Sequence, residues 1–196
     1  VMWAVMMAGM MLPSAAPVVL LITSVYRRRG DRHARLSSVA FVGGYLLVWT
    51  MFSAAAATTQ TGLHRAAFLT PDMASGSAVA GGAILLMAGI YQWLPIKNSC
   101  LTHCQSPLGF ITQQWREGAA GGFTMGVRHG AFCVGCCWAL MALLFVVGVM
   151  NLAWVAAIAA FVLAEKLMPP RLRVERAAGV FLIVWGTYVL ARAAAY

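Results

Sequence analysis

The stretch that decides the fold is His129–Ala164, HGAFCVGCCWALMALLFVVGVMNLAWVAAIAAFVLA, which contains no Lys, Arg, Asp or Glu. A helix needs about 20 apolar residues to cross a bilayer, and this run supplies that length almost twice. Gly148-Val149-Met150-Asn151 interrupts it and leaves room only for a tight turn. Two spans are therefore predicted here, near 130–149 and 152–168. The second is short, about 25 Å at 1.5 Å per residue, so it needs snorkelling ends or a locally thinned bilayer.

Outward from this stretch the same pattern repeats. Val1–Tyr26, Leu36–His64, Met73–Ile96 and Ala177–Ala191 also lack charged residues, and the 196-residue chain is 62% hydrophobic and only 10% charged. Soluble domains carry roughly 25% charged residues. The prediction is a single all-α domain over residues 1–196, a polytopic transmembrane helix bundle of six spans near 1–25, 38–58, 77–95, 130–149, 152–168 and 177–195. The chain opens inside an apolar segment with a residue other than Met, so a further upstream span is an expectation. Val1–Tyr26 has neither the basic start nor the cleavage signal of a secretory leader.

The net charge of +9 does not point to nucleic acid, because the charges are segregated. Arg27, Arg28, Arg29, Arg32 and Arg35 follow span one. Lys97, Arg116 and Arg128 lie between spans three and four, and Lys166, Arg171, Arg173 and Arg176 follow span five. Only Arg65 and Arg192 fall on the other side. This asymmetry predicts a multi-pass protein of the cytoplasmic membrane whose loops after spans one, three and five face the cytoplasm. The partner it implies is the lipid bilayer, with the arginine run near anionic headgroups. Trp3, Trp49, Trp154 and Trp93 suit interfacial belts, whereas Trp185 is deeper.

Helix association in lipid depends on close backbone approach. Gly122, Gly126 and Gly130 recur every four residues, as do Ala156, Ala160 and Ala164, and Gly43-Gly44 and Gly81-Gly82 offer further contact points. Such ridges also suit a partner helix, so an accessory or structural subunit of a larger membrane complex is one reading of the chain.

All five cysteines and two of the four histidines gather in Cys100-Leu101-Thr102-His103-Cys104 and His129-Gly130-Ala131-Phe132-Cys133-Val134-Gly135-Cys136-Cys137. The predicted topology brings both segments to the cytoplasmic side. His129 and Cys133 share a helix face, as do Cys133 and either Cys136 or Cys137. A helical turn over 100–104 gathers Cys100, His103 and Cys104 in the same way. Two ligands from each segment make a thiolate–imidazole site that suits Cu(I) or Zn(II). Cys100, Cys104, His129 and Cys133 are the leading ligands, with His103 and Cys136 as alternates. Two other readings stand beside it. Buried free cysteines also serve as small apolar residues. A thiol–disulfide oxidoreductase would cycle Cys100 or Cys104 against Cys133 or Cys136. A static disulfide does not fit the reducing side of the membrane.

Soft and polar groups elsewhere supplement this cluster. Met6 with Met10, and Met7 with Met11, are i,i+4 pairs of thioethers, equally able to bind Cu(I) or to fill a core. Pro13 and Pro17 should kink the helix and release carbonyls, for which Ser14 is a natural partner. Glu165 at the end of span five is expected to anchor the interface, to pair with Arg128, or to orient His129 from outside the ligand set. There is no Gly-rich phosphate loop, so any transport is passive or coupled through a partner.

Met2-Trp3-Ala4-Val5-Met6-Met7, Met10-Met11-Leu12-Pro13-Ser14-Ala15-Ala16-Pro17, Cys100-Leu101-x-x-Cys104-x-x-Pro107, His129-Gly130-x-x-Cys133-x-Gly135-Cys136-Cys137-Trp138, Met150-Asn151-Leu152 and Glu165-Lys166 together resemble a bacterial family of predicted metal-binding integral membrane proteins of unassigned function. The resemblance covers nearly the whole chain and implies a helical inner-membrane protein, often with one more N-terminal span. With the residue reading it gives a membrane metal-handling protein, for transport or for delivery to a membrane enzyme, rather than an enzyme in its own right.

Overall fold

A computed structural model describes residues 1–30, 33–65, 77–168 and 172–195, and every described element is helical. The helices are α1 (Met2–Arg28), α2 (Ala34–Arg65), α3 (Ala78–Tyr91), α4 (Pro95–Gln105), α5 (Pro107–Gln114), α6 (Gly118–Ala142), α7 (Leu144–Val147), α8 (Leu152–Leu167) and α9 (Val174–Ala194). Arg32 and Arg171, two of the charges in the predicted basic loops, lie outside the described residues.

Local chemistry sets most of these boundaries. Proline is pre-shaped for the first turn of a helix and turns its predecessor away from helical geometry. Pro95 accordingly opens α4 and Pro107 opens α5, where the Ser106 hydroxyl accepts from the Gly109 N–H. Gly148 ends α7 at φ +87°, a conformation that favours glycine, and Asn151 caps α8 by accepting from Trp154 N–H. The tight turn expected between spans four and five is this pair of caps.

Among the described residues, four helices are long and apolar enough to cross a membrane: Met2–Arg28, Ala34–Arg65, Gly118–Val147 with its break counted through, and Val174–Ala194. Helices α3 and α4, which bend by 65° at their break, make a fifth when the bent pair is counted as one span. Six spans were expected, and the differences have local causes. Span three stops at Tyr91 because Pro95 forces a new helix. Span five is a helix of 16 residues, shorter than a full crossing. The helix carrying span four starts at Gly118, so Arg128 lies within it rather than in a loop; no proline interrupts that glycine-rich stretch. Lys97 is no loop anchor either: it sits in α4 and is buried.

The described chain forms two compact units, residues 1–56 with 99–136 and residues 57–98 with 137–196. In the first, the glycine ridge of α6 packs on α2 as its spacing predicts. A Cβ on Gly122 would collide with the Ser37 carbonyl and one on Gly126 with the Phe41 carbonyl, while Gly44 of α2 sits equally tight on Phe123. A core of Val18, Ile22, Tyr26, Phe41, Phe110 and Met125 lies beside this contact. Trp3 and Trp49 are buried in this unit, so they are not the interfacial belt residues expected of them.

In the second unit α3 and α9 cross through glycines seven apart on each helix. Gly82 meets Gly186 and Leu190, and Gly89 meets Gly179 and Ile183. The alanine ridge of α8 makes no comparable contact. Ala156 and Ala160 are exposed, and Val155, Ile158, Val162 and Glu165 are the residues turned inward.

Candidate metal centre

The first unit holds all the cysteines and histidines singled out as ligands. Cys133 and Cys136 lie one turn apart on α6, both fully buried, and the Cys136 thiol donates to the Cys133 carbonyl at 3.1 Å. Cys100 approaches them from α4. Its sulfur packs on the backbone of Gly135, where an added Cβ would stand only 2.8 Å away. Glycine at 135 is therefore what admits it. Cys100 also lies within electrostatic reach of the Cys136 thiol. It is half-buried, whereas Cys136 is closed off from solvent. Cys104 is buried one turn further along α4.

The histidines take different roles. His103 hydrogen-bonds through Nδ1 to the Ser99 carbonyl at 2.8 Å and stacks on Phe132, with ring centroids 4.3 Å apart. His129 is buried among aromatic rings, 5.1 Å from Phe110 and 5.9 Å from both Phe41 and Tyr45. The tetrahedral set Cys100, Cys104, His129 and Cys133 is not assembled. Among the described residues, no three His, Cys, Asp or Glu side chains come together as they would around a metal ion. Pairs of donors are what the structure offers, and a zinc site that requires four ligands finds no support in them.

Tyr45, which the sequence reading did not single out, links this cluster to α1. Its hydroxyl lies 3.1 Å from Cys133 Sγ and 3.1 Å from the Met11 carbonyl, to which it donates. Ser14 Oγ donates to the same carbonyl at 2.8 Å. That carbonyl is not one of those Pro13 and Pro17 release, which belong to Gly9 and Pro13, four residues before each. Helix α1 continues through both prolines, and Met7 and Met11 are wholly buried on it. The signal for Tyr45 was a phenol in an apolar span, since a buried Tyr O–H seeks a partner, but sequence alone gave no hint of which.

Glu165 is buried and faces a lysine. In the second unit its carboxylate accepts from Lys97 Nζ at 2.8 and 2.9 Å, and both side chains are only 1% exposed. Lys97 Nζ donates as well to Gln92 Oε1. Arg128, the alternative partner, is exposed and donates to Gln114 instead. Lys97 was missed because one charge just past an apolar run reads as a topological anchor.

Neither a curated protein nor a solved structure matches this chain. A family model does. The PpoB2 model, described as a copper chaperone, covers residues 1–189. Copper is thus the metal that the family indicates, in keeping with the soft donors gathered in the first unit, and the chain belongs to this copper chaperone family.

Proposed function

We propose that the chain carries Cu(I) as cargo within a membrane, taking it up at Cys100 and Cys136 and passing it to a membrane-bound acceptor protein. The observation that supports this reading is the approach of Cys100 to Cys136, two thiols on different helices, one half-exposed and the other buried. Soft thiolate and thioether ligands select Cu(I), which is stable with only two of them. A donor pair thus suffices for copper where zinc would need four.

The order of exposure suits a cargo more than a resident cofactor. Beyond the half-buried Cys100, the same unit holds further soft donors closed off from solvent: Cys136, Cys133 and the thioethers of Met11 and Met7. Cys104 and His129 are further donors in the same unit. His103 serves as packing, held by Ser99 and Phe132. The segregated arginines orient the entry thiol toward the cytoplasm.

The test is Cu(I) retention by detergent-purified, reduced protein against a Cu(I)-selective chelator. About one copper per chain is expected, lost in the Cys100→Ser/Cys136→Ser variant and kept in His103→Ala. Zinc offered in the same way should dialyse out. Unchanged copper in the folded double variant overturns the assignment of the entry pair.

A further inference from the structure

The second unit contains a buried ion pair that copper binding does not use. The three N–H donors of Lys97 are matched by three acceptors: Oε1 and Oε2 of Glu165 and Oε1 of Gln92. Gln92 is itself 1% exposed, and its Nε2 has no hydrogen-bond partner. Orphaned buried donors of this kind are uncommon and call for an explanation. A fully buried ion pair adds little stability over apolar residues of the same volume, because desolvation offsets the Coulomb attraction. Ionisable groups among apolar spanning helices are correspondingly rare and tend to mark ion or proton sites.

The position of this pair matters as much as its burial. Gln92 is the residue that ends α3, and Lys97 lies in the first turn of α4. Their hydrogen bond therefore straddles the break at which the two helices bend by 65°. The bend rests on α9, where a Cβ on Gly179 would stand 2.6 Å from Trp93 Nε1 and 2.9 Å from Gln92 Cβ. Arg176 covers the other side of Trp93, its guanidinium 5.6 Å from the ring centroid. Glu165 ties the start of α4 to α8. Among the described residues, Lys166, its neighbour on α8, and Glu175 on α9 also act on Glu165 electrostatically.

We infer that Gln92, Lys97 and Glu165 form a proton-binding site that latches the α3–α4 bend. In the latched state Glu165 is a carboxylate and the pair is neutral overall. One proton from water then adds to a Glu165 oxygen, and the site becomes a carboxylic acid beside an ammonium of charge +1. No covalent bond other than the new O–H forms or breaks. An unpaired ammonium does not persist in a dry apolar setting, so Lys97 withdraws toward water and the first turn of α4 leaves α8. Discontinuous helices form the ion and substrate sites of many membrane transporters.

The test uses the full chain in lipid nanodiscs. The chain has glutamates at 117, 165 and 175 only, so Glu117→Gln/Glu175→Gln leaves Glu165 as its sole glutamate. Protein labelled with carbon-13 glutamate should show an isotope-shifted carboxylic C=O infrared band that grows on acidification while the helical amide bands persist. Over the same pH range, amide exchange in α4, corrected for its intrinsic pH dependence, should rise by about tenfold. At neutral pH, Glu165→Gln should raise α4 exchange to the same degree without acid. Absence of the labelled band up to the point where the helices melt overturns the proton site. A band with unchanged α4 exchange overturns the latch. Should Glu165→Gln fail to fold, the labelled protein still decides both points by pH alone.

Discussion

The two units are each closed by glycine, yet they enclose opposite chemistry. In the first, Gly122, Gly126 and Gly44 bring α6 against the carbonyls of α2, and the unit buries thiols, thioethers and phenols, groups that carry no formal charge as thiol, thioether and phenol. In the second, Gly82, Gly89, Gly179 and Gly186 join α3 to α9, and a full positive and a full negative charge lie buried against α8. Soft neutral donors can share an apolar interior at little desolvation cost. A charge cannot, so it needs its counter-charge within hydrogen-bond distance. The first unit should therefore tolerate loss of single polar groups better than the second.

That contrast can be broken from either side. The largest effect should come from Gly126→Leu, which drives a branched side chain into the Phe41 backbone. More than about 3 kcal/mol of destabilisation is expected, above the usual range for overpacking because backbone cannot yield. Gly43→Ala, with nothing near its Cβ, should be close to neutral in the same denaturant titration. Equal melting of the two variants would show that the ridge is not the contact described.

Next is Lys97→Met, which strands Glu165 without its counter-charge. A loss of about 3–5 kcal/mol is expected, with most of it regained in Lys97→Met/Glu165→Leu, where both charges go. A double variant as unstable as the single one would mean that Glu165 does more for the fold than pair with Lys97. Tyr45→Phe in the first unit should cost less, about 1–2 kcal/mol, since it removes one hydroxyl from the Met11 carbonyl and the Cys133 thiol while keeping the ring. A cost as large as that of Lys97→Met would erase the distinction between the units. Ser14→Ala is the smallest, below about 1 kcal/mol, because Tyr45 still serves the Met11 carbonyl.

Much of the fold was legible in the chain because its signals are local. Apolar run length marked the helical segments, the Gly148–Asn151 turn separated two of them, and the four-residue glycine spacing marked a close-packing face of α6. The alanine ridge of α8 shows where such signals stop. Alanine every fourth residue permits close packing but does not require it, and Ala156 and Ala160 face outward. Span boundaries show the same limit. Hydropathy measures the length of an apolar run, whereas Pro95 decides whether α3 continues straight or bends.

The sequence by itself determined the helical class and the grouping of the thiols and imidazoles in two short segments, since composition and spacing are properties of the chain. Only the tertiary structure decided what each of these side chains faces. Cys100 packs beside the α6 backbone because Gly135 leaves room for its sulfur, His103 stacks on Phe132, and Tyr45 joins α1 to α6. It decided too that Glu165 faces Lys97, a residue 68 positions away. Such pairings depend on which helix faces turn toward one another, and no periodicity within a single helix carries that information.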